Sequence, residues 1–504
     1  MDPPHIAVER ATQSVRTFME RHSAGVTDVS VLEPVFDLAL STDLAAAGTG
    51  TAMLFGGVIE TLADTFTVDD RKALEQVLAR VITRVRSLPQ ARVFDERLSR
   101  WGLVDERALV RRVDRISTTG DLPSVQPSDV SKVFVLSRVT LGADILLNTL
   151  VIQRVALAFP NAEIVFVGDP KNGWLLIGDI ERARVVPARY GRREALADRV
   201  LNWLSLLGVI DAQTSDLSPG MEWLVVDLDS RLLQSGLLPV MPPTTEATRY
   251  HFWRGTVSPG SWQGTSQAED LIEWLDRRLG PTEAGREVRP RVCLSAADHD
   301  FAETCRRAWR LDERSCVVSM NLGVGGNEAK RVGDGSPAAS LFERELILRL
   351  LSDGATVIAD AGHGDAELRR AADLARMARD DEFEVIEATG DRVPAAGGRP
   401  FDGRPCKGRL VMFLGSVARF ATLVNVSTLY IGYDSLGQHL AGALGKNIVT
   451  VFAGYPSPVF VARWRTMTAG VLRTVEVGIG PFSPEQQHGV VEEVLAHYES
   501  LRPA

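Results

Sequence analysis

From Lys132 onward the sequence alternates short, nearly continuous apolar runs with longer amphipathic ones. KVFVLSR, PNAEIVFVG, RARVVPA, MEWLVVDLDSR and TRYHFWRG read as strands, with helices over Ile145 to about Phe159, Arg193 to Leu207 and SQAEDLIEWLDRRLG. After a linker-like stretch, GPTEAGREVRP (Gly280 to Pro290), the alternation restarts. RVCLS, SCVVSMNLG, ATVIADAG, FEVIEA, Thr428 to Ile431 and Ile448 to Phe452 read as strands, with helices between them. Strands buried on both faces are apolar throughout, and their alternation with helices predicts a mostly parallel, doubly wound α/β sheet. Two such blocks predict two Rossmann-like domains, residues 131–285 and 286–504, facing a common cleft. The last helix, around EEVLAHYESL, is expected to pack back on the first of them.

The first 116 residues differ. VERATQSVRTFMERH, DLAAAGTGTAMLFGGVIETLADTF, DDRKALEQVLARVITRVRSL and DERALVRRVDRI all carry apolar residues at helical spacing, and Asp69 and Asp70 mark a helix start. An α-helical domain suited to oligomerisation or protein contacts is expected, joined by a linker over residues 117–130 whose Gly, Pro and Ser/Thr favour turns. A formal charge of −9 argues against a nucleic-acid partner. The four cysteines lack metal-like spacing, and MDPPHIAVER has no secretory pattern. By this reading no apolar run reaches the roughly 18 residues of a membrane span, and a cytoplasmic protein is expected.

Three stretches at predicted strand ends carry chemistry. TLGAD (Thr140 to Asp144) opens a helix after the first strand, so Asp144 is either a cap or a carboxylate held ionised by the helix dipole. MNLGVGGNEAKR (Met320 to Arg331) is either a glycine-rich surface turn or an anion loop, its backbone accessible at Gly323, Gly325 and Gly326 and its charge supplied by Lys330 and Arg331. It lacks the spacing of a Walker loop. In IGYDSLGQHLAGALG, Asp434, Ser435 and His439 collect where a strand meets a helix N-terminus, a place that favours phosphate.

In order, these stretches resemble the heptosyltransferase-like family of bacterial glycosyltransferases (glycosyltransferase family nine). The family's Ser/Thr-Leu-Gly-Asp turn is TLGAD here, its Phe-Pro-Asn/Asp-Ala motif is FPNA, and its glycine loop with Lys-Arg is NLGVGGNEAKR. Its Asp-Ser/Thr-Gly-Pro-x-His-Leu-Ala-Ala-Ala-Leu-Gly motif is DSLGQHLAGALG. The resemblance covers about Lys132 to the C-terminus.

It implies a B-type glycosyltransferase fold and an inverting, metal-independent transfer of heptose or another hexose-like sugar. The donor is a nucleoside-diphosphate sugar, ADP-linked in the best-known members, and no other cofactor is implied. Carried over, Asp144 is the general base and Lys330 neutralises the leaving diphosphate above Gly325 and Gly326. Asp434, Ser435, Leu436, Gly437 and His439 form the diphosphate and proximal-sugar site. Leu414, Gly415 and Ser416 would lie against the nucleobase of the donor and Glu367 at its ribose. On the acceptor side stand Thr140 and Gly142, with Arg231 and Arg254 contributed by the DLDSR and HFWRG strand ends. A structural ion pair is the competing account of the last two. The acceptor is a sugar, lipid-linked, natural-product or protein hydroxyl.

Two departures stand out. Ala143 is an extra residue between Gly142 and Asp144, and Leu436 and Gly437 replace the family's Gly and Pro. The alternatives are a non-catalytic nucleotide-sugar-binding scaffold and a nucleotide-sugar epimerase or hydrolase.

Overall fold

A computed structural model shows a helical segment followed by two parallel α/β sheets. It describes residues 4–118, 127–188, 190–191, 194–217, 221–258, 262–281, 283–312, 315–325, 327–390, 392–396 and 408–502. Gly326 and much of the Ala388 to Arg409 loop, read from sequence as a lid, lie outside these residues.

The first sheet contains β1 (Val130–Leu136), β2 (Glu163–Gly168), β3 (Ala183–Pro187), β4 (Glu222–Asp227) and β5 (Tyr250–Phe252), ordered β3-β2-β1-β4-β5. The second contains β6 (Val317–Asn321), β7 (Thr356–Asp360), β8 (Glu384–Thr389), β9 (Arg409–Leu414), β10 (Leu429–Tyr433), β11 (Asn447–Ala453) and β12 (Leu472–Val477), ordered β12-β11-β10-β6-β7-β9-β8. The strand pairings in both are parallel. The winding reverses between β1 and β4 in one sheet and between β6 and β10 in the other. Open sheets bind ligands beyond the strand carboxyl ends at such reversals.

RVCLS is not a strand: the Cys293 N–H makes a single bond to the Leu175 carbonyl (2.8 Å) rather than joining a ladder. The sequence reading missed β9 and β12, one behind the long Gly/Pro-rich loop and the other an edge strand that alternates apolar and charged residues.

The helical segment, expected as a domain of its own, belongs to the same compact unit as the first sheet. That unit comprises Met1–Thr140, Val151–Gly173 and Arg182–Val288; the other comprises Leu141–Leu150, Trp174–Glu181 and Arg289–Ala504. One apolar core runs through the segment and the sheet, with Phe36, Leu74 and Ile82 in the same cluster as Val165, Val225 and Leu233. Phe94 and Trp101 meet the Trp203 ring edge-on, at centroid distances of 5.2 and 5.9 Å.

Buried ion pairs tie the same two parts together. Arg71 bonds Glu75 (2.9 Å), Asp229 (2.6 Å) and the Ser235 carbonyl (3.1 Å). Burial works against its charge, but Asp229 and Glu75 more than offset this and raise its pKa. Arg112, 1% exposed, pairs with the equally buried Glu246 and donates to the Gly236 carbonyl.

The last helix, Pro484–Leu501, expected on the first half, packs within the second unit. Val491, Val494 and Tyr498 join the core of the second sheet beside Phe342 and Val475. The stretch Leu141–Ala158 is long and apolar enough to cross a membrane by length and composition, which the sequence reading overlooked; 67% of it is buried within the protein, as in a core helix.

Candidate active site

At the reversal of the second sheet, β10 ends at Tyr433 and the chain passes through Asp434 and Ser435 into the helix Leu436–Ala443. Asp434 accepts a hydrogen bond from Lys330 Nζ (2.9 Å) at one oxygen and from Gln438 Nε2 at the other. Lys330 sits on a short turn, Glu328–Lys330, after the glycine loop, and its ammonium lies 4.6 Å from the centre of the Phe460 ring. Gly325 has φ +63°, the left-handed region that favours glycine. Arg331 is not available as a second cation at this loop: it is 7% exposed and paired with Glu343 and Glu328.

Neither Asp434 nor Ser435 caps the helix with its side chain. Ser435 Oγ donates instead to Asn321 Oδ1 at the end of β6 (3.3 Å). The first-turn N–H groups thus receive no side-chain cap, and these are the groups an anion takes at a helix start. Gly437 is required by packing, because a Cβ there would collide with the Tyr430 hydroxyl.

His439 is 4% exposed, with Nδ1 3.3 Å from Thr466 Oγ1 and its ring 6.1 Å from that of Trp464. Burial pushes its pKa down to about 4; Lys330 adds to this and Asp434 opposes it. The imidazole is therefore neutral near neutral pH. Between the ordinary 6.5 and about 4 the unfolded chain binds this proton and the folded one does not. Stability from this residue is present above pH 6.5 and is lost as pH falls through that window. In urea unfolding of the full chain, His439→Gln should flatten the pH dependence over that range, and an unchanged slope would mean His439 is not held neutral.

Asp144 is neither an N-cap nor solvent-facing. One helical turn, Leu141–Ala143, leads into a π turn, Asp144–Asn148, in which the Thr149 N–H reaches the Asp144 carbonyl. Asp144 is 4% exposed, and its Oδ1 accepts from Asn148 Nδ2 at 2.7 Å. This piece of chain belongs to the second unit and packs on the helix Leu436–Ala443. The approach is tight at Gly142, where a Cβ would stand 3.1 Å from His439 Cδ2 and 3.3 Å from Leu436 Cα. Two motifs far apart in sequence are thereby one local structure.

The remaining candidates scatter. Glu367 accepts from the His363 N–H (3.0 Å) and lies against Gly323, at the carboxyl ends of β6 and β7. Leu414 ends β9 and Gly415 and Ser416 follow it, with β6 and β7 between this strand and β10; Ser416 caps the helix Val417–Val426. Thr140, Arg231 and Arg254 belong to the first unit. Arg254 bonds Glu75 and Asp114, both at 2.9 Å, the structural ion pair the sequence left open. Next to it Asp227 is fully buried against Tyr250 (2.5 Å), with its carboxyl pushed up to about 6 by that burial.

Asn148, Gln438 and Asn321 were given no role in the site from sequence. The first two stand four residues after Asp144 and Asp434, the helical spacing at which side chains meet, and that spacing was a usable signal. Among the described residues, Glu345, His488 and Glu492 are placed closely enough to hold an ion. They are on two helices away from the strand ends, and Arg349 already lies 3.0 Å from Glu492.

No protein-family profile and no curated protein sequence matches this chain. Solved structures resemble it in fold. A glycosyl transferase family 9 protein from Veillonella parvula is 13% identical over 75% of this chain and 98% of its own, with a TM-score of 0.49. The E. coli ADP-heptose lps heptosyltransferase II is 13% identical over 73% of this chain and 99% of its own, with a TM-score of 0.42. A putative UDP-N-acetylglucosamine 2-epimerase from Listeria monocytogenes is 13% identical over 73% of this chain and 88% of its own, with a TM-score of 0.40. Likeness at this level does not extend to activity or substrate.

Proposed function

We propose that the protein transfers a sugar from a nucleoside-diphosphate donor to an acceptor hydroxyl, with inversion and without a metal. The observation that carries this reading is the packing of the Asp144 turn on the helix that begins at Leu436, which brings a carboxylate and an uncapped helix start into one structure. Asp144 takes the proton of the acceptor hydroxyl as its oxygen attacks the anomeric carbon. The bond from that carbon to the diphosphate oxygen breaks, and its electron pair leaves with the diphosphate. Lys330 and the uncapped N–H groups stabilise the charge that develops there. A neutral His439 can donate a hydrogen bond without pairing permanently with Asp434. The sugar is heptose or another hexose-like sugar, and the Leu436 and Gly437 departures leave heptose unselected among them. The acceptor is a sugar, lipid-linked, natural-product or protein hydroxyl.

Calorimetry with nucleoside diphosphates tests the donor half. Lys330→Ala removes a charge-assisted contact of the kind that contributes about 1.5–3 kcal/mol, so affinity should fall roughly ten- to hundred-fold. His439→Ala should also weaken binding. Unchanged affinity in both variants would remove this donor site. EDTA should leave transfer unaffected.

One observation favours a second reading. At 4% exposure Asp144 is more enclosed than a base open to its substrate, as suits a nucleotide-sugar-binding protein without turnover. Donor binding with no transfer to any acceptor and no donor hydrolysis would support that alternative.

A further inference from the structure

The π turn that begins at Asp144 is the least regular part of this site, and it bears on how the carboxylate is held. An α-helix accommodates one extra residue by widening a single turn to i→i+5 bonding. The Thr149 N–H to Asp144 carbonyl bond is that widened turn. It starts immediately after Ala143. Downstream of it, Asn148 is fully buried, and its amide N–H meets Asp144 Oδ1 at 2.7 Å. Upstream, Gly142 lets the chain pass close to His439 and Leu436, where a Cβ would stand 3.1 and 3.3 Å from them. An amide four residues on thus meets the carboxylate within the widened turn, beside a stretch packed closely on the neighbouring helix.

We propose that Asn148 is the positioning residue of Asp144: carried on the π turn, its side-chain amide fixes which way the carboxylate points. The inference rests on the reading of Asp144 as the general base. A buried asparagine within a helix would otherwise be an unfavourable choice over leucine or alanine. A hydrogen bond from an amide favours the ionised form of a carboxylate, which is the form a base requires. The helix Leu436–Ala443 packs against this turn, and its titratable residue is His439, held neutral by burial; Arg154 is the charged residue of the following helix, Thr149–Ala158, and the Arg291 backbone N–H bonds Thr149 Oγ1 (3.3 Å).

The test is the pH profile of transfer in the full chain with Asn148→Ala and Asn148→Asp, using nucleoside-diphosphate binding as the control for folding. Asn148→Ala should lose on the order of ten- to hundred-fold in kcat, the scale of a misplaced catalytic group, with the acid limb moved upward and donor binding retained. Asn148→Asp is nearly isosteric and creates a carboxyl pair. With one proton the pair still supplies a donor to Asp144, so activity persists at low pH. When the second proton leaves, the two charges repel, and a descending limb absent from the wild type should appear. If the alanine variant does not fold, the aspartate variant decides. Wild-type profiles in the variants that fold, alongside an inactive Asp144→Asn, overturn the role of Asn148 alone. An active Asp144→Asn overturns the base assignment as well.

Discussion

Asp144→Asn is expected to abolish sugar transfer while nucleoside-diphosphate affinity stays unchanged. General-base catalysis contributes roughly 10²–10⁴-fold, and the amide cannot accept the acceptor's proton. The substitution is close in volume, and Asn148 can turn its amide to present the carbonyl oxygen to a new N–H donor. A loss of transfer therefore reports chemistry rather than collapse of the turn. Lys330, Asp434 and the start of the Leu436–Ala443 helix are unaltered, so the donor half should bind as before. Measurement needs a donor panel, a panel of acceptors and calorimetry on the same preparations. Normal transfer by the variant would falsify the base assignment.

The second large effect concerns the helical segment. A chain lacking residues 1–126 should fail to give a soluble, cooperatively folding product. Its loss would expose the shared core around Val225 and Leu233 and remove Arg71 and Arg112 from the buried carboxylates of Asp229 and Glu246. Breaking one buried pair is expected to be costly by itself. Arg112→Met should destabilise the full chain by about 3 kcal/mol, near the lower end of the usual range because Arg115 still reaches Glu246 at 3.0 Å. Replacing both partners, as in Arg112→Met with Glu246→Leu, should recover much of that loss, since matched apolar groups often substitute for a buried ion pair. Urea unfolding reads all three. A truncated chain that folds cooperatively, together with an Arg112→Met cost under about 1 kcal/mol, would show that the segment is independent after all.

The legible parts of this chain are those with local signatures. Strand and helix periodicities, the glycine loop and the turn from β10 into Leu436–Ala443 depend on neighbours within a few residues, so β1 to β8, β10 and β11 were readable. β12 was not, because an edge strand with arginine and glutamate between its apolar residues lacks a buried strand's composition. The linker read over residues 117–130 from its turn chemistry lies largely outside the described residues; its first two residues end a helix and its last begins β1. Turn chemistry does not say whether the helices before it find their apolar partners at home or on the sheet that follows. Trp203 and Arg112 decide this, and each acts across more than ninety residues of chain.

By itself the sequence determined that two parallel α/β sheets follow a helical segment, and it picked out Asp144, Lys330, Asp434 and His439 as the residues at strand ends with chemistry to offer. It also showed the extra residue at Ala143. Tertiary structure alone decided that the Asp144 turn lies on the helix of His439, that Lys330 is held by Asp434 while Arg331 is drawn into Glu343, and that Arg254 serves the helical segment. The physical reason is range. Periodicity and caps are set by bonds over three to five residues, whereas the partner of a charge or of a helix face is whichever group the sheet winding brings within reach. Ala143 shows both at once: an insertion visible in the sequence, whose consequence, a π turn with Asn148 against the carboxylate, exists only in the fold.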